Sequence, residues 1–321
     1  AGVYRMLAAL IGSGVLSALL GIWQYVFSTP SLEHLDLSLF ADLGGRVSST
    51  WGNPNMLAEA LILLLPLTVA VMLLQRRLIH GFGGVLCVAA VSACLIFTWS
   101  RGAWLGAIAS MLMFFLLLDH RVMSWALLGI LPTAALLPLL PDTVLRRFAS
   151  ILSRTDSSIA YRRHLWQGVG DLLSDHWLVG IGVGERAFRE VYLSYALPGI
   201  ETAMHSHSLY LQLLCALGIV GLVVFVAAML LWLRSALHYY RYGRLRAPRW
   251  IVLAGVAGVA ALLVMGLFDD VWYNYRIYML FWTIMGLVTA QLRVGESDEE
   301  RAYTPLDSDR TQCELVLRFH Q

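Results

Sequence analysis

Apolar runs of roughly twenty residues recur along this chain, near positions 6–27, 56–75, 83–99, 102–118, 122–141, 208–233, 250–268 and 277–292. Each is close to the length that an α-helix needs to cross about 30 Å of hydrocarbon. The fold class this predicts is all-α, a polytopic transmembrane helix bundle of about eight spans. Composition agrees, since 59% of the 321 residues are hydrophobic and only 14% are charged, against about a quarter charged in ordinary soluble domains. Secreted disulfide scaffolds, disordered chains and nucleic-acid-binding modules are excluded on the same ground. The formal charge of +2 is too small to imply a polyanionic partner, so no nucleic acid is expected and the lipid bilayer is.

Arginine marks the cytoplasmic side of membrane helices. Arg76 with Arg77, then Arg121, then the group Arg234, Arg241, Arg244, Arg246 and Arg249 fall on alternate connections, which places both termini inside. Residues 28–55, 100–101, 142–207 and 269–276 then lie outside. The expected organisation is transmembrane helices 1–5 over residues 1–141, an outer loop over 142–207, helices 6–8 over 208–292, and a cytoplasmic tail over 293–321 whose charge mixture predicts disorder. Ala1 is neither an initiator methionine nor the start of a charged targeting segment, and the chain reads as N-terminally truncated. All 23 basic residues are arginine; genome composition and a demand for bidentate anion binding both explain that. Cys87, Cys94, Cys215 and Cys313 show no disulfide framework or metal knuckle.

The outer segment 142–207 is too long for a simple connection and must hold structure or function. Val144, Leu145, Phe148, Ile151 and Leu152 recur at helical spacing, as do Leu165, Trp166, Val169, Leu172 and Leu173, which predicts amphipathic helices capping the bundle or lying on the membrane. Gly180, Gly182 and Gly184 then form a turn that opens another short helix. They read either as a tight turn or as an anion-binding helix N-terminus, not as a dinucleotide fingerprint, because no strand precedes them.

Chemistry gathers at the outer ends of the spans. His205 and His207 stand just before a span, where a histidine can accept a proton or simply hydrogen-bond loop carbonyls. A zinc site from His205 and His207 with Glu201 lacks a third ligand at recognisable spacing, so no metal and no cofactor are expected. Arg101 sits at the tip of a helical hairpin with arms of only about 16 residues, roughly 24 Å, which predicts a charge below the outer surface that either snorkels or binds phosphate. Asn53-Pro54-Asn55 is a turn with an N-cap for the next span. Glu59, one turn into that span, is an intramembrane carboxylate that is functional by default or else paired with a bundle arginine.

Together, Gly52-Asn53-Pro54-Asn55, Ser100-Arg101-Gly102-Ala103, Arg162 with Trp166, Gly180-x-Gly182-x-Gly184, and His207-Ser208 followed by nine residues and Gly218-Ile219-Val220-Gly221 resemble the O-antigen ligase and polymerase superfamily over residues 50 to 222. The histidine motif is the specific element. The resemblance implies a GT-C-like, metal-independent glycosyltransferase of the cytoplasmic (inner) membrane with its active site on the outer side. Its partners would be an undecaprenyl-diphosphate-linked glycan and a glycan or lipid-glycan acceptor. By that resemblance His207 matches the catalytic histidine, and Arg101 and Arg162 match arginines that hold the donor diphosphate. Family members usually have more spans than these eight, so several would precede Ala1. The family's loop arginine is often followed four residues later by leucine, whereas Trp166 stands there and Leu165 falls one short, so the register between Arg162 and Arg163 stays open.

An acceptor hydroxyl is far too weak an acid to ionise at neutral pH, so a histidine base would assist its attack on the anomeric carbon. Guanidinium groups can stabilise the departing lipid diphosphate without a metal. Ligase and polymerase share the donor and differ in the acceptor. Two other classes are compatible with a polytopic chain: a secondary transporter, which would place its ionisable groups at the bilayer midplane, and a noncatalytic subunit of a polysaccharide assembly complex.

Overall fold

A computed structural model describes residues 2–27, 45–75, 77–118, 157–243 and 246–303. These form helices α1 (Gly2–Phe27), α2 (Pro54–Leu74), α3 (Leu78–Phe97), α4 (Arg101–Leu118), α5 (Ser157–His176), α6 (Glu185–Tyr192), α7 (Leu209–Tyr242), α8 (Arg246–Met265) and α9 (Tyr275–Tyr303), with no strand among the described residues. Six of them, α1 to α4, α7 and α8 from Pro248, are long and apolar enough to cross a membrane. The protein is a membrane protein. The predicted run 277–292 lies within α9, which is not one of those six. The predicted span 122–141, Arg76, Arg121, Arg244, the loop helix from Val144 to Leu152, and the tail beyond 303 fall outside the described residues.

The apolar content of each helix decides its place. Along its most apolar stretch α2 is 78% buried and α8 is 72% buried, against 17% in α3 and α7. A helix apolar all round is stable either inside the bundle or against lipid, so α2 and α8 form the centre while α1, α3 and α7 turn apolar faces outward. Close packing without a hydrophobic drive between helices requires small residues at the contact. Gly258 of α8 supplies one, since a Cβ there would lie 2.4 Å from the Leu63 carbonyl oxygen of α2. Asn53 caps α2 by accepting the Asn55 backbone N–H at 2.8 Å, with Pro54 pre-set for the first turn.

The hairpin bearing Arg101 differs from its sequence expectation. Its arms are 20 and 18 residues long, or about 30 and 27 Å at 1.5 Å per residue, so one matches the ~30 Å of hydrocarbon and the other falls only slightly short. Gly81, Gly83 and Gly84 do not end α3 towards its N-terminus; in a membrane helix the internally bonded backbone outweighs glycine's weak propensity. The tip therefore needs no deep burial to be reached.

Long-range contacts gather the ends of α1, α2, α3, α7, α8 and α9 at one end of the bundle. Tyr25 of α1 stacks on Phe97 of α3 at 4.0 Å, Arg46 donates to the Thr98 carbonyl at 2.8 Å, and the Leu209 N–H at the start of α7 donates to the Gly266 carbonyl after α8 at 2.8 Å. Arg276 of α9 reaches the Thr50 carbonyl before α2 at 3.4 Å. Helices α5 and α6 pack on the first turns of α7 around their own core of Leu165, Val169, Leu172, Phe188, Tyr192 and Cys215. Leu165, Val169 and Leu172 are thus the buried stripe of the predicted amphipathic helix, while Trp166 stays partly exposed.

Helix α7 is broken at Gly218, whose φ of 64° and ψ of −172° are non-helical. The break frees the Cys215 and Ala216 carbonyls, which accept the Ile181 and Gly182 N–H groups at 2.8 and 3.0 Å, while Ile219 N–H donates to the Trp177 carbonyl at 2.8 Å. The glycine-rich turn is therefore spent on α7. A Cβ at Gly180 would stand 2.6 Å from the Cys215 oxygen, so the glycine there answers to close approach, and the tight-turn reading of Gly180-x-Gly182-x-Gly184 is the one the contacts favour.

Candidate active site

His207 occupies the last residues of the loop before α7 with a φ of 50°, a left-handed conformation uncommon for a residue with a side chain. Its neighbours hold it there. The Ser206 hydroxyl donates to the Ser208 carbonyl at 2.9 Å, and the Ser206 N–H donates to the Gln212 side-chain oxygen at 2.8 Å. The Trp166 indole donates to the Ser206 carbonyl at 2.9 Å, which fastens α5 to the histidine loop. Backbone strain enforced in this way gathers at functional positions.

The His207 ring is aimed by a residue that motif reasoning missed. His207 Nδ1 lies 3.0 Å from Asp269 Oδ1. The other Asp269 oxygen accepts from Asn55 Nδ2 at 3.1 Å, and Asn55 Oδ1 in turn accepts from Arg46 at 2.6 Å. Burial alone would raise the Asp269 carboxyl, but the hydrogen bond and charge of His207, with Arg162 and His205 behind them, hold it well below the usual carboxylate range. Asp269 is an anion that accepts, so Nδ1 of His207 is the donor in this pair, and Nε2 is the nitrogen left to face a substrate. The chain Arg46–Asn55–Asp269–His207 explains the asparagine of the Asn53-Pro54-Asn55 turn, which links the start of α2 to the imidazole. The signal available in the sequence was the adjacent pair Asp269-Asp270 at the outer end of an apolar run.

The remaining predicted residues separate clearly. His205 is close to His207, ring centroid to centroid 4.2 Å; burial, then the charge of His207, lowers it to about 4, so it is neutral and its Nδ1 accepts the His207 N–H at 3.3 Å. Arg162 is half-buried, its Nε has no partner among the described residues, and its charge bears on His205 and Asp269. Arg163 is exposed, which favours Arg162 in the register left open. Arg101 is the first residue of α4; a Cβ on its neighbour Gly102 would lie 3.5 Å from Met265 and 3.8 Å from Phe268, just before Asp269. Glu59 is buried but has no arginine among the described residues; it lines a cavity of about 100 Å³ with Asn53, Asn55, His207, Asp269 and Asp270. Glu201 turns away to accept the Gly199 N–H at 3.0 Å.

Side-chain ligand atoms of His205, His207 and Asp269 lie within 4.8 Å of one another and could hold a metal ion. The third residue is Asp269 rather than Glu201. The same atoms make the His207–Asp269 hydrogen bond and the His205 contact, so a metal and the histidine–aspartate pair are alternative uses of one site.

Asp270 is raised to about 7, first by burial and then by the charge of Asp269, against the stabilising Trp272 N–H. Since this folded value exceeds the ordinary 3.8, the folded state holds the extra proton. That contribution to stability is complete below pH about 4 and lost as the pH rises through about 7. Asp269 acts in the opposite sense, but only in strong acid. Thermal unfolding of the detergent-solubilised protein should therefore shift to lower temperature as the pH rises from about 4 to about 7, and Asp270→Asn should flatten that slope; an unchanged slope in the variant would assign it elsewhere.

Residues 86–226 match the family model Wzy_C, O-Antigen ligase. The match covers Arg101, Arg162, His207 and Gly218 and ends before Asp269. No curated protein matches the chain. The chain is a membrane protein, and its residues 86–226 are similar to the O-antigen ligase family.

Proposed function

We propose that the protein is a membrane glycosyltransferase of the O-antigen ligase type, which moves a glycan from an undecaprenyl-diphosphate donor to an acceptor hydroxyl at the outer face of the cytoplasmic membrane. The observation that carries this reading is the His207–Asp269 pair with Arg162 beside it, whose Nε has no partner among the described residues, two of the three lying within the matched stretch. In the reaction, the acceptor oxygen forms a bond to the anomeric carbon as the bond from that carbon to the diphosphate oxygen breaks. The acceptor proton passes to Nε2 of His207, and the imidazolium so formed is stabilised by Asp269. Charge accumulates on the departing lipid diphosphate, where Arg162 and Arg101 oppose it. A polymerase of the same superfamily would use the same groups with a different acceptor.

The reading carries its topology with it: eight spans in a GT-C-like bundle, residues 1–141 and 208–292 in the membrane, 142–207 outside and 293–321 in the cytoplasm. The deciding experiment is reconstitution with an undecaprenyl-diphosphate oligosaccharide and candidate acceptors, where a folded protein without transfer counts against an enzyme. Glycan analysis of a deletion strain separates the two enzyme types. Shortened chains indicate a polymerase, and long lipid-linked chains that are never attached indicate a ligase.

Lysine at Arg162 would keep the charge and lose the bidentate fork. Arg162→Lys should lower turnover about 10–100-fold, that is ~1.4–2.7 kcal/mol of transition-state stabilisation, with a smaller loss of donor binding; equal losses in both would mean that Arg162 only binds. Turnover should also survive EDTA. Loss of activity on chelation, restored by a divalent ion, would assign His205, His207 and Asp269 to a metal instead.

A further inference from the structure

The polar cavity beside His207 continues, through the shared residues His205, Asp270 and Tyr273, into a groove of about 370 Å³ between the start of α7 and the start of α9. That volume suits a sugar-sized ligand. Its walls are Leu213 and Leu217 of α7 and Trp272, Tyr273 and Tyr278, with Asp270 at the inner end. Among the described residues that line the two cavities none is an arginine, whereas Glu59, Asp269, Asp270 and Glu185 are carboxylic acids. Arg162 belongs to neither lining. It projects from α5, whose Tyr161 meets the edge of the His207 ring at 5.8 Å. His207 thus stands between a cationic side on α5 and an acidic, aromatic side on α7 and α9.

Resting on the transferase reading, we infer that this groove is the acceptor subsite and that its occupant is the neutral sugar of the acceptor, not the donor diphosphate. A diphosphate there would face the Asp269 carboxylate at the inner end with no guanidinium in either lining to balance it, the exposed Glu185 being already paired with Arg189 at 3.5 Å. A neutral pyranose has the complementary chemistry. Its C–H faces fit the aromatic and leucine walls, because aromatic rings present apolar bodies with polar tips. Its hydroxyls can donate to carboxylates and accept from tyrosine O–H groups. The arrangement also satisfies the geometry of displacement, since nucleophile and leaving group reach the anomeric carbon by separate routes, with Nε2 of His207 at the nucleophile's end.

Photolabelling of the whole protein in lipid nanodiscs tests this without turnover. One probe is a dodecyl β-glucoside with a diazirine on the sugar, and the other is farnesyl diphosphate with a diazirine on the first isoprene unit. The glucoside should label peptides containing residues 209–217 and 270–278, and the diphosphate should label α5 around Arg162. Tyr273→Ala and Asp270→Arg should each lower glucoside labelling at least fivefold while farnesyl diphosphate labelling stays within twofold. The assignment is overturned if the diphosphate labels 270–278, if the glucoside labels neither peptide, or if the variants label like the parent. Expected labelling in a protein that transfers no glycan would sink the transferase reading and leave a sugar-binding groove; transfer with the label elsewhere would sink the groove alone.

Discussion

Transfer by the His207→Ala protein should fall by about 10²–10⁴-fold, the contribution of a positioned general base, while the lipid-linked donor still binds. Alanine at a φ of 50° also carries backbone strain, so His207→Asn, which tolerates the left-handed region, is the better matched variant and should lose as much. Asp269→Asn should lose at least about 10²-fold. An asparagine keeps the shape but not the charge, so the imidazolium is no longer stabilised and the amide can hold the ring in the wrong tautomer. Donor affinity is the measurement that separates this from misfolding. It should stay within a few-fold in all three proteins, because the guanidinium of Arg162 is untouched. His205→Ala should keep most activity, since its ring is neutral and buried against Tyr273, centroids 4.6 Å apart. Wild-type turnover in His207→Ala would overturn the assignment of the base, and His205 would be the next group to test.

What the sequence made legible is what depends on near neighbours along the chain. The length of apolar runs placed α1, α2, α4 and the start of α7 closely, though α7 runs nine residues past the expected end, and the buried stripe of α5 fell on the expected Leu165, Val169 and Leu172. The run 83–99 was too short for α3, which begins at Leu78, because Gly81, Gly83 and Gly84 are weak helix formers in water and within a bilayer do not end a helix. The candidate site was half legible. His205, His207 and Arg162 lie together as their motif order suggested, but the group that orients the base is 62 residues from His207, and its link to Asn55 spans 214 residues. Such closures are set by packing of α2 against α8, which no local pattern encodes. Glu59 was read as functional or arginine-paired, and the fold gives it carboxylate neighbours from the far end of the chain. Gly218 was visible only as part of a motif, and its physical reason appears once residues 177–182 are seen to pass through the break it makes.

Gly218→Ala should be among the most damaging single-methyl additions in this protein. At φ 64° and ψ −172° the backbone occupies a region open essentially to glycine, which costs a side-chain-bearing residue about 1–3 kcal/mol. The added Cβ would also stand 2.2 Å from the Leu178 oxygen and 2.5 Å from the Val179 nitrogen. Both are main chain and cannot swing aside, so overpacking adds a further ~1–3 kcal/mol. Relief requires the 177–182 segment to leave α7, and with it go the three hydrogen bonds from Ile181, Gly182 and Ile219. The same segment joins α5 to α6, so the displacement would loosen Arg162 relative to His207 as well as lower stability. The solubilised variant should unfold several degrees below the parent, or fail to accumulate, and any folded fraction should show weakened donor binding. Gly170→Ala is the matched control: it lies within α5 with nothing within 4 Å of the new Cβ, and alanine is the better helix former by about 1 kcal/mol. A Gly218→Ala protein as stable as Gly170→Ala would mean that the loop does not thread the break in α7, and that the spacing from His207 to Gly218 serves some other end.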